Sequence, residues 1–218
     1  MGNAAYYNEI DPYAAEWLRQ LIRYGLIAPG DVDERSIEDV VPADLVGYTQ
    51  CHFFAGISVW SYALRLAGWP DGQPVWTGSC PCQPFSQAGK GRGTTDERHL
   101  WPAWQWLISQ CRPDVIFGEQ VASAIKHGWL DDVAVSLEAI GYAVGAVVFP
   151  ACSVGAPHLR QRLYWVAQSH SGVCAWRGAG PGAEGVARPH SRPAGPVSYT
   201  HLRAHETPEH LVCRLLLE

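Results

Sequence analysis

The stretch Val75-Trp76-Thr77-Gly78-Ser79-Cys80-Pro81-Cys82-Gln83-Pro84-Phe85-Ser86 decides the reading of this chain. A short β-type run at 75–77 passes directly into a loop that holds two cysteines and two stiffening prolines. In open α/β sheets the chemistry gathers at the carboxyl ends of strands, so a cysteine in this loop is well placed to act. A fixed thiolate is also what a nucleophile requires. The same residues fit a structural cysteine in a proline-rich turn, which is the commoner fate of such a residue. A zinc reading is weaker. The deaminase pattern needs Pro-Cys-x-x-Cys, and Phe85 stands where the second cysteine would be. Cys80 and Cys82 are also closer together than the usual zinc pair.

Outward from this loop, β-type runs alternate with helical patterns from Ala5 to Ala167, the pattern of a doubly wound parallel sheet. Strands are expected at Tyr6–Ile10, Cys51–Phe54, Val75–Thr77, Val115–Phe117, Val144–Phe149 and Leu163–Ala167. Helices are expected at Pro12–Tyr24, Val59–Ala67, Leu100–Cys111 and Leu130–Ile140, with Gly56, Gly68, Gly118 and Gly141 as punctuation. A chain of 218 residues, 47% apolar, suffices for one such domain with a buried core. No apolar run is long enough to span a membrane, and no signal pattern opens the chain, so a cytoplasmic protein is expected. Seven cysteines without framework spacing suggest free thiols in a reducing compartment. A net charge of −5 gives no sign of nucleic-acid binding, so any phosphate contacts must come from local basic clusters.

Two further segments carry chemistry. Val115-Ile116-Phe117-Gly118-Glu119 ends an apolar strand on a carboxylate, where partial burial would raise the pKa and suit proton donation near neutrality. A surface carboxylate or a helix cap fits these residues equally well. Gly155-Ala156-Pro157-His158-Leu159-Arg160-Gln161-Arg162 enters the strand at Leu163. In extended chain Arg160 and Arg162 point the same way. A solvated strand edge is the plainer reading.

Taken together, these segments closely resemble the cytosine-5 DNA methyltransferase family. "HFFAGI" at 52–57 resembles its cofactor loop, "PCQPFS" at 81–86 its nucleophile loop, "GEQV" at 118–121 its Glu-Asn-Val motif and "RQR" at 160–162 its Arg-x-Arg motif. "AGKGRGTTDERHLW" at 88–101 resembles the mobile stretch after the nucleophile. The motifs stand in family order over 51–167, and four in order make a specific signal.

The resemblance implies a Rossmann-like sheet of the S-adenosylmethionine-dependent methyltransferase type, here incomplete. It implies double-stranded DNA as partner, restriction-modification as setting, a bacterial or phage-infected cell as location, a monomer and no metal. Cys82 would attack ring carbon 6 of a cytosine flipped out of the duplex, and Glu119 would protonate or hydrogen-bond ring nitrogen 3. Carbon 5 would then take the methyl group. Arg160 and Arg162 would hold the base carbonyl and nearby anionic groups. Phe54, Ala55, Gly56, Ile57 and Pro81 would contact the cofactor. Gln83, Ser86, Lys90, Arg92 and Arg98 would contact DNA. The other readings are a non-catalytic DNA-binding relative and a thiol-redox or zinc module.

The chain departs from the family pattern in several places. His52, Ser58 and Val59 replace an aspartate and a glycine pair around the cofactor loop, and Gln120 replaces asparagine. Only 24 residues, Ser58 to Pro81, lead from the end of the first motif to the opening proline of the second, where the family fits an extra β-α-β with a ribose-binding carboxylate. That piece resembles "YYNEIDPYAAEWLRQLI" at 6–22 and "GDVDERSIEDV" at 30–40. A permuted order follows, in which residues 1–50 supply the acidic strand and Glu9 binds the ribose hydroxyls. The alternative is a plain helix start capped by Asp11.

The catalytic domain is expected over 1–170, with a Gly-, Pro- and Arg-rich linker over 171–196. "VSYTHLRAHET" at 197–207 and "LVCRLLLE" at 211–218 fit in-frame translations of sequencing-library adapter and primer. Residues 197–218 are therefore expected to be adapter-encoded, with His201, His205 and Cys213 forming no metal site. On this reading the target-recognition domain and the final cofactor motif are missing, and the fragment has little activity.

Overall fold

The computed structural model describes residues 5–81 and 100–170. The linker and adapter readings of 171–218 lie outside the described residues, as does most of the loop after Pro81.

Local sequence signals account for the elements near the site. The strand β1 (Ala5–Asn8) leads into α1 (Pro12–Arg23), which starts where Asp11 Oδ1 accepts the Ala14 N–H at 2.8 Å and Pro12 opens the first turn. After β2 (Gly30–Asp33) and two short 3-10 turns comes β3 (Gln50–Phe53), then α2 (Val59–Leu66) and β4 (Val75–Gly78). The second half adds α3 (Trp101–Cys111), β5 (Val115–Val121), α4 (Trp129–Glu138), β6 (Tyr142–Pro150) and β7 (Gln161–Ser169). Each expected strand and helix has a counterpart within a few residues. The short β2 lies within the 30–40 segment.

The seven strands form one sheet in the order β2-β1-β3-β4-β5-β7-β6. β1 to β5 pair in parallel, while β7 runs antiparallel between β5 and β6. The sheet is therefore mixed, not wholly parallel. β6 and β7 are joined by a short connection of about ten residues, too short for the helical crossover that parallel neighbours need. Beside β3, β1 lies in register with Asn8 opposite Phe53, which brings the ends of both strands together.

One face of the sheet holds the main core. Trp101, Trp104, Trp129 and Trp165 meet largely edge-to-face between the sheet, α3 and α4, with Phe53, Ile116 and Leu163 beneath them. Their bulk leaves no room for side chains on two strands. A Cβ on Gly78 would lie 2.5 Å from Trp104, and one on Gly118 would collide with the Trp165 indole. Gly118→Ala is expected to cost ~1–3 kcal/mol by overpacking, read as a lower urea midpoint at unchanged slope.

On the opposite face, under α1 and α2, lies a buried polar layer. His52, which departs from the family pattern, is stacked on Tyr7 with ring centroids 5.0 Å apart. Its Nδ1 is 2.8 Å from Thr77 Oγ1 and its Nε2 is 3.3 Å from Gln50 Oε1. Burial pushes the imidazole down to about 3, so it is neutral in the folded protein. His52 is a satisfied core residue.

Candidate active site

The period-2 alternation of β5 sends Ile116 and Gly118 to the tryptophan core and Phe117 and Glu119 to the other face. In the antiparallel register Glu119 stands opposite Tyr164, with Arg162 diagonally beside it. Arg162 Nε reaches Glu119 Oε1 at 2.8 Å. Burial raises the Glu119 pKa, while Arg162, a hydrogen bond from Ser79 and the charge of Arg160 oppose that rise without cancelling it. The outcome is a carboxyl that keeps its proton to higher pH than an exposed glutamate.

Arg160 precedes β7, with φ of 20° in place of the extended geometry expected from sequence. Both arginines nevertheless line one cavity, of about 680 Å³. Glu119 lies in its wall, with Phe117 and Tyr164 on the sheet side and Trp60 and Leu64 from α2. Phe54, Ala55, Gly56 and Ile57 line it too. The volume suits a small-molecule or cofactor site.

The loop from Phe54 to Ser58 turns sharply. Phe54, Gly56 and Ser58 all have positive φ, at 52°, 53° and 63°. Only glycine adopts this conformation freely, so Ser58 carries strain that a glycine there would not. Ser58 Oγ is buried without a hydrogen-bond partner. The loop is pinned to β1, since the Ala55 N–H donates to Asn8 O at 3.0 Å and the Gly56 N–H to Glu9 Oε2 at 2.6 Å. Glu9 Oε1 accepts the Asp11 N–H at 2.9 Å. Thus Asp11 caps α1 while Glu9 bonds the loop, and the two readings of "EIDP" are compatible.

Not every expected site residue meets the others. Neither Pro81, which is exposed, nor Glu9, which bonds the Phe54–Ser58 loop from behind, lines the cavity. Cys82, Gln83, Ser86, Lys90, Arg92 and Arg98 lie outside the described residues. Cys80, two residues before Cys82, is buried in the core, and burial pushes its thiol pKa up, which leaves it inert. Sequence reasoning did not single out Trp60, Ser79, Phe117 or Tyr164. Ser79 falls inside the decisive stretch but carries no motif signal, and the aromatics read as ordinary core residues. Among the described residues no helix is long and apolar enough to cross a membrane, and no three His, Cys, Asp or Glu cluster as metal ligands would.

Residues 70–177 match the family model for C-5 cytosine-specific DNA methylase. Over that stretch the chain belongs to this family. It is 32% identical over 136 residues to the type II methyltransferase M.AplI of Arthrospira platensis, covering 62% of this chain and 36% of the relative. To M.HhaI of Haemophilus parahaemolyticus it is 31% identical over 90 residues, covering 39% and 28%. The chain thus spans about a third of the length of the curated relatives it matches. The fold is like that of a DNMT2 variant from Spodoptera frugiperda, with a TM-score of 0.51 at 16% identity over 79% of this chain and 44% of that one.

Proposed function

We propose that this chain is the catalytic part of a DNA cytosine-5 methyltransferase, acting on double-stranded DNA as a monomer in the cytoplasm. One observation carries the proposal: Glu119, Arg160 and Arg162 line the same cavity as the Phe54–Ile57 loop. The residues assigned here to the base and those assigned to the cofactor thus border one chamber, which supports the reading. The order of events follows from the weakness of cytosine as a carbon nucleophile. With the base flipped out of the duplex, the Cys82 thiolate adds to ring carbon 6 while Glu119 gives its proton to ring nitrogen 3. That addition turns carbon 5 into an enamine-like nucleophile. Arg162 and Arg160 hold the base carbonyl and adjacent anionic oxygens. After transfer, loss of the carbon-5 proton to solvent expels Cys82 as thiolate, and ring nitrogen 3 returns its proton to Glu119 as the aromatic ring is restored. Gln83, Ser86, Lys90, Arg92 and Arg98 are assigned to the DNA backbone and bases.

The residues present fit S-adenosylmethionine. Phe54, Ile57 and Trp60 offer apolar wall for a nucleoside, and the unpartnered Ser58 hydroxyl is a spare buried polar group. Glu9, anchored by the Gly56 and Asp11 N–H groups, keeps lone pairs for a pair of ribose hydroxyls. Bound there, the cofactor supplies an electrophilic methyl group. On this reading the acidic strand that usually follows the cofactor loop precedes it in this chain. Residues 1–50 would then be a permuted part of the domain, a proposal favoured by β1 lying directly beside β3.

Glu9→Gln keeps the shape of the side chain but removes its charge. The variant is expected to bind S-adenosylmethionine about 10- to 100-fold more weakly, as the loss of charged hydrogen bonds predicts. Calorimetric titration measures this directly, and unchanged affinity would rule out Glu9 as a cofactor ligand. The function itself is tested by incubating the protein with duplex DNA and S-adenosylmethionine, then digesting the DNA and measuring 5-methylcytosine by mass spectrometry. DNA binding without 5-methylcytosine would instead indicate a non-catalytic relative.

A further inference from the structure

Ser79 follows β4 directly and stands three residues before Cys82. Its hydroxyl is engaged on two sides. The Trp60 indole N–H donates to Ser79 Oγ at 3.1 Å, and Ser79 stands in the same cavity wall as Glu119, whose pKa a hydrogen bond from the Ser79 side chain lowers. An indole N–H can only donate, so it occupies a lone pair of the serine oxygen. The single hydroxyl hydrogen is then free to point at Glu119, which as a carboxylate can only accept.

Trp60 is itself held in place. Its ring stacks on Phe117 at 6.0 Å and 23° and meets Tyr164 edge-on at 6.3 Å. Phe117 precedes Glu119 by two residues on β5, and Tyr164 lies opposite Glu119 across the antiparallel pair. Trp60 also lines the cavity beside the Phe54–Ile57 loop. A wall of the cofactor chamber therefore touches, through one hydroxyl, the carboxylate assigned to the base.

We propose that Ser79, oriented by Trp60, is a positioning residue that aims the Glu119 carboxyl and fixes a hydrogen-bond donor upon it. The proposal rests on the reading of Glu119 as proton donor to the base. Glu119 is faced by Arg162 and Arg160 at the start of β7, by Tyr164 on β7 and by Ser79 after β4. Of these, Ser79 alone is a neutral donor whose direction is set by a second residue. Losing it leaves burial less opposed, so the carboxyl holds its proton more tightly.

The test uses the full chain labelled with ¹³C-glutamate, following the carboxyl carbon of Glu119 by NMR against pH, with Glu119→Gln assigning the signal. Ser79→Ala is expected to move the midpoint upward by about one pH unit, a tenfold change in proton affinity. Ser79→Thr, which keeps the hydroxyl, is expected to restore it. Trp60→Phe keeps the stack on Phe117 but loses the N–H, and is expected to shift the midpoint in the same direction by less. A folded Ser79→Ala chain with an unmoved midpoint overturns the proposal. If Ser79→Ala does not fold, an unmoved midpoint in Trp60→Phe does so. The titration needs no turnover, so it is separable from the role of Glu119. Full methyl transfer by Glu119→Gln would refute the proton-donor reading whatever the titration shows.

Discussion

Cys82→Ser is expected to abolish covalent capture of a duplex containing 5-fluorocytosine and to lower methyl transfer by on the order of 10⁴-fold or more. Fluorine at carbon 5 cannot leave as the proton does, so a true nucleophile stays bonded to carbon 6 and the complex survives denaturing electrophoresis. Serine has the size to occupy the position but a far higher pKa, and near neutrality it offers almost no anion to attack the ring. Cys80→Ser is the informative control. That cysteine sits in the same buried core as the tryptophans, and burial keeps it as a neutral thiol. Its substitution is expected to leave capture intact, at a modest cost in stability from placing a hydroxyl in an apolar site. Capture retained in Cys82→Ser, or lost only in Cys80→Ser, would overturn the assignment. Stoichiometric zinc lost on Cys82→Ser would point instead to a thiol-metal module.

Much of this was readable because it depends on near neighbours in sequence. The strand at 75–78 and the loop after it are adjacent along the chain, and alternation along β5 alone dictates that Phe117 and Glu119 share a face. Asp11 followed by Pro12 specifies a helix start without help from the rest of the fold. What escaped the sequence is set by distant pairing. The antiparallel insertion of β7 between β5 and β6 follows from a short connection, and apolar runs of the two strands look alike in either direction. The ion pair of Arg162 with Glu119 depends on that register, since the two residues stand 43 apart in the chain. The bond of Glu9 to Gly56 needs β1 to lie against β3, which no local pattern specifies. Ser79 and Trp60 illustrate the same limit: a serine and a tryptophan have ordinary core roles until the fold places 3.1 Å between them.

Glu119→Gln is expected to lower the rate of adduct formation by about 10²- to 10⁴-fold, the usual range for loss of a positioned general acid. The amide is close in size and retains an N–H that can hydrogen-bond to ring nitrogen 3, but it has no proton to give. Binding of DNA should change little, which separates this loss from a folding defect. The pH dependence makes the sharper test. Burial raises the Glu119 pKa above that of an exposed glutamate, and Arg162 and Ser79 restrain the rise. The active form is the protonated acid. The rate should therefore fall as pH increases through the folded-state pKa, and below it this limb should be flat until another group titrates. Glu119→Gln should abolish that limb along with most of the rate. Arg162→Lys keeps a positive charge but loses the guanidinium geometry that now brings Nε to 2.8 Å from the carboxylate. With the opposing charge less well placed, burial prevails more fully and the limb should move to higher pH. A limb that moved lower in Arg162→Lys, or persisted in Glu119→Gln, would assign the titrating group elsewhere and leave Glu119 as a binding residue only.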